Sequence, residues 1–510
     1  MNDAPPAGSA NPPEFSRLRS ALFPVHGYEM KKFISMSLLM FFILFVYTMV
    51  KDLKNSLVQY YAVLGGPELL SQIKVFFVMP AAFLLVMLYS FLINKFGFNK
   101  TFYILISSFL TFYVIFLLFL FPNRAYIHLD EATVRAMQAS WPSFLHWTIP
   151  CITNWSITLF YVFSELWGTM AISSLFWQFA YRATMKREVK RFFGLYAVIG
   201  NVGVSLSGFL LNYISTTCKK LNQPHELSIY VCVISSILCG LIAIVLFWYV
   251  NHFVLKDPRC FDVSQIKEKK KKEKVGIMDG IRILFKSPYL MLIGALVVCY
   301  GVAINFLEVI WQAYMRIHFP DPNQYLSTMG KLSITTGILT ILAAVIGQNI
   351  IRKTKWKIGA LIPALILGIF GSLFFGIILY GNYVSTKIFG INFVLLAVWL
   401  GLAIDALSKS VKYCLFDATK NMAYLPLDAE TRTKGQAAVE VIGGRTGKAG
   451  SSFIQIILLG FVSAGSKIIS HVVTISIIFV ITGFSWICSV FGLSKKYEAK
   501  VAENSIDEEQ

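Results

Sequence analysis

Hydrophobic positions in this chain do not alternate with polar ones. They run on in blocks of about 20 residues, the length a helix needs to cross a bilayer. Such blocks fall near 31–58, 70–96, 101–121, 144–181, 192–216, 227–253, 287–314, 328–351, 356–381, 386–414, 436–462 and 467–494. The pattern predicts an all-α polytopic membrane protein with twelve transmembrane helices. Residues 1–30 are Pro- and Ala-rich and hold no cleavable apolar core, so a tail is expected there, not a signal peptide.

The polar segments between the blocks alternate in charge. Lys95 and Lys100 flank one connection, and Arg182, Lys186, Arg187, Lys190 and Arg191 crowd another. A long central segment holds KEKKKKEK, Lys267 to Lys274, and Arg352, Lys353, Lys355 and Lys357 fill a later loop. Arg432 and Lys434 follow, and Lys495, Lys496 and Lys500 lie in the tail. The intervening connections are poorer in Lys and Arg. Basic loops stay on the cytosolic side of a membrane, so both termini and the central linker are expected in the cytosol. The layout reads as a tail over 1–30, a six-helix bundle over 31–253, a basic linker over 254–286, a second six-helix bundle over 287–494 and a tail over 495–510.

Composition agrees with that layout. The 510 residues are 56% hydrophobic, with a mean hydropathy of +0.64 and 43 Phe. Only 14% are charged, against about 25% in a soluble domain. The net charge of +19 would fit nucleic acid, but its place in short loops assigns it to topology instead. The expected partner is therefore the lipid bilayer, with no nucleic acid, and the chain is expected to act as a monomer. The lysine run reads as a solvated linker near anionic lipid. Eight Cys are scattered without CxxC or metal spacing, so no disulfide framework, metal or cofactor is expected. There is no HExxH, no catalytic carboxylate pair in a soluble domain and no sizeable extramembrane region, which argues against an enzyme.

The two halves of the chain echo one another. Phe176-Trp177 in LFWQFA is matched by Leu415-Phe416-Asp417 in CLFDA, and a basic loop follows each. VIGNVGVSLSG, Val198 to Gly208, is then matched by VIGGRTGKAG, Val441 to Gly450. Parallel repeats of this kind predict a major-facilitator-like arrangement with a substrate site near the midplane, between the halves.

Charges inside the apolar blocks are the candidate chemistry. A lysine in hydrocarbon costs roughly 3 kcal/mol on insertion scales, so it faces a partner, a cavity or a substrate. The first block ends with Lys51, Asp52 and Lys54; the fourth holds Glu165; the seventh holds Asn305 and Glu308. The tenth and eleventh bring Lys409, Lys412, Arg445 and Lys448. In a two-bundle carrier the first, fourth, seventh and tenth spans line one cavity, which would then hold both signs of charge. A structural ion pair is the bland reading of Glu165 and Glu308, and snorkelling to the interface is that of Lys54 and Lys448. The sharper reading of the carboxylates is a gate or coupling group whose partner changes as the carrier rocks, and that of the cations is a site for a phosphorylated anion. Arg445 at a glycine-rich helix start has the geometry to bind phosphate bidentately. GGRTGK follows no strand and lies beside a span, so it is not a Walker A loop. Lys54, Lys412, Arg445 and Lys448 are the expected contacts of such an anion. Glu165 and Glu308 are the expected exchange partners of those cations.

Longer motifs carry a family likeness. SELWGTM, KRFF, DPRCFDV and above all KYCLFDATKNMAYLPLD followed by KGQAAVEVIGGRTGKAG resemble the ATP/ADP translocases of rickettsiae, chlamydiae and plastids. The resemblance runs from about Arg19 to Tyr497, and the tenth-to-eleventh region follows the rickettsial pattern. It implies a twelve-helix nucleotide carrier of the bacterial inner membrane, exchanging ATP for ADP. By match to the family's motifs it implies roles in transport for Lys54, Glu165, Glu308 and Lys448, and a nucleotide substrate would then stack its base on Tyr413 or Trp311. The chain departs from the ATP/ADP exchangers at Lys51 and Asn55, where RDTKD reads KDLKN, and at Gln312 and Tyr181. Lys for Arg replaces a planar two-pronged donor with a point charge. The family also includes carriers of GTP, UTP, CTP or NAD, some of them proton-coupled, so those substrates stay open alternatives.

Overall fold

The computed structural model describes Phe23 and residues 25–256, 277–388, 390–428, 431, 435, 436, 439, 444–462 and 465–509. The lysine run Lys267–Lys274, Arg432 and Lys434 lie outside the described residues.

Helices dominate. They are α1 (Met30–Ser56, prolonged by the π-helical turn Leu57–Tyr61), α2 (Glu68–Leu120), α3 (Trp155–Ala183), α4 (Lys186–Lys220) and α5 (His225–Val254). A second group follows: α6 (Pro288–His318), α7 (Pro322–Lys353), α8 (Trp356–Tyr383), α9 (Phe393–Ala423), α10 (Gly444–Ile457) and α11 (Val472–Glu509). A two-residue hairpin, Lys387–Ile388 against Ile391–Asn392, precedes α9. The starts of the second group are written in the sequence. Ser287, Asp321 and Asn392 each accept a hydrogen bond from a backbone N–H of the first turn, and Pro occupies the first position of α6 and α7.

Ten helices among the described residues are long and apolar enough to cross a bilayer, against twelve expected blocks. Two places account for the difference. The 53 residues of α2 cover two of the blocks. At 1.5 Å per residue they would measure about 80 Å, more than twice the hydrocarbon thickness. The backbone breaks at Gly97, with φ 74° and ψ 169°, between Lys95 and Lys100. The eleventh block appears only as the shorter apolar helix Ala449–Val462. At the other extreme, α11 continues to Glu509, well beyond its expected end near 494.

Both groups pack around a central helix. α1 is flanked by α4 and α5, and α6 by α9, α10 and α11. Their most extensive mutual contact is α4 against α7. A Cβ on Gly208 would stand 2.6 Å from the Gly330 carbonyl oxygen, and one on Gly330 would stand 2.6 Å from that of Gly208. Small residues let two membrane helices approach until their backbones touch. Gly330→Val is expected to wedge this seam open and destabilise the protein by roughly 1–3 kcal/mol, the cost of overpacking a tight contact, with Gly330→Ala milder. The melting temperature of the purified variants checks it.

The contacts between the groups crowd at the end of the molecule away from both termini, the distal end. Gln59 donates from Nε2 to Gln312 Oε1 at 3.2 Å and to the Tyr325 hydroxyl at 3.1 Å. The Tyr60 hydroxyl donates to the Phe319 carbonyl at 2.6 Å, and Arg316 donates to the Gly65 carbonyl. Glu68 accepts from the Ile468 N–H at 3.0 Å, while Asp321 pairs with Lys219 at 3.4 Å. Trp147 donates to the Ser466 carbonyl at 3.1 Å.

The repeat signal has a structural counterpart. The π-helical stretch Gly168–Phe176 leads into a helical piece Trp177–Ala183; likewise Lys412–Phe416 leads into Asp417–Ala423. α1 and α6 correspond too. Tyr47, Asp52, Gln59 and Tyr61 recur at one constant spacing as Tyr300, Asn305, Gln312 and Tyr314. The Gln59–Gln312 hydrogen bond therefore joins equivalent residues of the two groups.

Candidate functional site

One to two turns inside the distal seal lies a cluster of charge that neither group buries completely. α1 ends in Lys51, Asp52 and Lys54, where a membrane helix would ordinarily be apolar. Lys54 forms an ion pair with Glu165 of α3, and its Nζ stands 3.9 Å from the centre of the Tyr161 ring. Lys54 is 4% exposed and Glu165 33%, so the carboxylate forms the open side of the pair. Lys51 pairs with the buried Asp52 at 3.2 Å, and Asp52 accepts from the Ser333 hydroxyl of α7 at 2.7 Å. That last bond crosses between the groups.

The second group answers with an arrangement of the opposite sense. Glu308 of α6 pairs with Lys409 of α9 at 2.9 Å, and Lys409 is held from below by the buried Asp405 at 2.7 Å. In the first group the central helix supplies the cation and its neighbour the anion; in the second the central helix supplies the anion. Tyr47 lies within electrostatic reach of Glu165, Glu308, Lys409 and Tyr413. Residues of both groups therefore share one space.

The expected residues divide into three sets. Lys54, Glu165 and Glu308 come together in this cluster. Lys412 is close by on α9, but it pairs with Asp417 at 2.9 Å and lies 4.5 Å from the centre of the Tyr413 ring. Arg445 and Lys448 sit in the first turns of α10, and their side chains lie outside the described residues. α10 approaches α6 closely: a Cβ on Gly447 would stand 3.0 Å from the Val298 carbonyl oxygen.

Of the two aromatic candidates, Tyr413 is exposed, but Trp311 is not available for stacking. Trp311 is buried, donates from Nε1 to the Val398 carbonyl at 2.9 Å and fills the notch left by Gly401. Two residues were missed. Lys409 stood among the charges inside the blocks but was passed over for Lys412; Asp405, one helical turn earlier, is the signal that marked it. Lys74 of α2 donates to Asn305 Oδ1 at 2.7 Å, and Asn305 donates in turn to the Ser451 hydroxyl of α10 at 2.7 Å. Lys74 heads an apolar run, QIKVFFV, and the period of that run alone carries no signal of a partner.

Partly exposed lysines and carboxylates gathered beneath the distal contacts can hold a multivalent anion. Comparison with known proteins decides the class. Residues 9–497 match the profile of the TLC ATP/ADP transporter family. The chain belongs to that family. It is 37% identical to ADP,ATP carrier protein 4 of Rickettsia conorii over 96% of each chain. It is 35% identical to ADP,ATP carrier protein 1 of Chlamydia muridarum, over 96% of this chain and 92% of the relative. Against ADP,ATP carrier protein 1 of Rickettsia prowazekii the identity is 35%, over 96% and 98%. In fold, the transporter is similar to the xylose transporter XylE from E. coli, with a TM-score of 0.53 at 12% identity over 92% of this chain and 99% of that one. The nucleoside transporter NupG gives a TM-score of 0.50 at 12% identity, over 90% and 99%. These neighbours share the major-facilitator-like architecture that the repeats imply. The protein is thus a multi-pass membrane transporter.

Proposed function

We propose that the protein exchanges ATP for ADP across a bacterial inner membrane, taking in host nucleotide by alternating access, with both termini in the cytosol and one chain as the working unit. The two six-span bundles, 31–253 and 287–494, rock about the charged chamber. Lys54 and Lys409 neutralise the polyphosphate, one from each bundle, with Lys412, Arg445 and Lys448 at its edge and Tyr413 against the base. Glu165 and Glu308 hold the lysines between visits of the nucleotide.

The observation that carries this reading is the placement of the two pairs. Each lysine finds its carboxylate inside its own bundle. On this reading a polyphosphate replaces both carboxylates as the partner of both lysines, and in doing so it links the bundles. Interactions that strengthen as the carrier closes are the ones that drive closure. Without a bridging anion the carboxylates satisfy each bundle separately, and closure at the termini end gains nothing. Strict exchange follows from that asymmetry.

The test is uptake of labelled ATP into proteoliposomes. Vesicles loaded with ADP are expected to accumulate ATP, while unloaded vesicles are expected to stay near background. ADP is expected to compete well, and GTP, UTP, CTP and NAD poorly. Uptake into unloaded vesicles driven by a proton gradient would instead assign the chain to proton-coupled import.

A further inference from the structure

Away from the charged chamber, the seam between α4 and α7 encloses a cavity of about 410 Å³ at the distal end, closed on one side by α9. Lys219 enters it from α4, Lys331 from α7 and Trp399 from α9. The cavity is more than a packing gap. Ser215 and Asn323, both on its wall, are buried to 0% and 1% exposure. Ser215 Oγ and Asn323 Oδ1 have no hydrogen-bond partner among the described residues. Both atoms are themselves closed to a guest; the polar character of the cavity comes from Asn212, Thr216, Gln324 and Ser327, which line it beside the two lysines.

Lys331 says which kind. It is exposed, and it continues the outward stripe of α7 formed by Ile338, Leu342 and Ile346, the face a membrane helix turns to lipid. It lies nine residues inside the start of α7 at Pro322, about 14 Å along the axis. A lysine at that depth on a lipid face needs an anion or a route to the interface. Asp321, the acid at the cavity mouth, is engaged by Lys219 at 3.4 Å and His225 at 3.5 Å. The Lys331 ammonium instead stands 5.4 Å from the centre of the Trp399 ring, which is 42% exposed. An amphipathic ring beside a cation, above an apolar stripe, matches a lipid with its phosphate at the lysine and its acyl chains along the helix.

We propose that this cavity binds the phosphate headgroup of an anionic phospholipid in the leaflet at the distal end. The headgroup lies between Lys331 and Lys219. Lys219 belongs to the first group of helices and Lys331 to the second. A lipid held by both pins the distal seam shut, and its departure accompanies opening at that end. The nucleotide site does not share these residues, so the cavity regulates the cycle without touching cargo.

Native mass spectrometry of the full-length protein in detergent tests the assignment, with phosphatidylglycerol, phosphatidylcholine and inorganic phosphate as the three probes. The wild type is expected to retain one phosphatidylglycerol in preference to phosphatidylcholine. Lys331→Gln is expected to weaken that adduct about tenfold, the loss of one charge-assisted contact, and Lys331→Arg is expected to keep it. ATP-dependent thermal stabilisation, read in parallel, is expected to be unchanged in both variants, which shows that they are folded. Equal retention by Lys219→Gln/Lys331→Gln and wild type would overturn the site. Displacement of the lipid by millimolar inorganic phosphate would overturn the lipid assignment in favour of a free anion.

Discussion

Lys409→Gln is expected to abolish ATP/ADP exchange, lowering the initial rate of labelled ATP uptake at least about a hundredfold with protein still present in the membrane. The reason is local electrostatics. Lys409 stands between two carboxylates, 2.9 Å from Glu308 and 2.7 Å from Asp405, and Asp405 is completely buried. Removing one partner of a buried charged set leaves the others uncompensated, at a cost of roughly 3–5 kcal/mol. Here the loss is double: two carboxylates are left without their shared cation, and this wall of the site repels phosphate instead of offering it a lysine. Like-charge juxtaposition alone costs several kcal/mol against a wrong partner, and it would now act against the right one. The variant Asp405→Asn/Lys409→Gln separates the two effects. It brings the local charge back to the wild-type value of one negative, carried by Glu308, so its melting temperature is expected to recover toward wild type, while exchange stays lost for want of the cation. Recovery of exchange in the double variant would remove Lys409 from the substrate site.

Much of this molecule is legible in the chain because a bilayer tolerates so few arrangements. Helices must satisfy their own backbones, so apolar blocks of spanning length translate directly into α1–α9 and α11. The same scarcity makes each buried charge conspicuous, and Lys54, Glu165 and Glu308 stand out in the sequence by that route. What periodicity does not reveal is pairing across helices. Glu308 could have met any of four cations in the tenth and eleventh blocks; only the packing of α9 on α6 selects Lys409 over Lys412. Trp311 shows the converse error. A tryptophan beside an intramembrane carboxylate looks like a base-stacking platform, yet the helix turns it away, against the backbone at Val398. A helix break at a single residue is legible when the charge pattern marks it. Gly97 sits between two lysines and splits a 53-residue helix, and the block pattern on either side already placed the turn there.

Glu308→Gln is expected to lower the turnover of exchange about tenfold while nucleotide binding stays as tight or becomes tighter. Glu308 is the better of the two carboxylates for this experiment, because its loss leaves Lys409 still paired with Asp405 at 2.7 Å. The lysine therefore remains neutralised, and the fold has no new buried charge to accommodate. What disappears is the competitor. A carboxylate that reclaims its lysine as phosphate leaves lowers the barrier to release; an amide of the same shape cannot. Weakening that competition stabilises the bound state more than the state of closure, so kcat falls and KM falls with it. Initial rates over a range of external ATP, in vesicles loaded with ADP, give both parameters. The pattern differs from that of Lys409→Gln, where affinity and rate are lost together, and the contrast between the two is the signature of a cation held in reserve by an acid. A rise in KM at constant kcat would mean that Glu308 shapes the site without taking part in release.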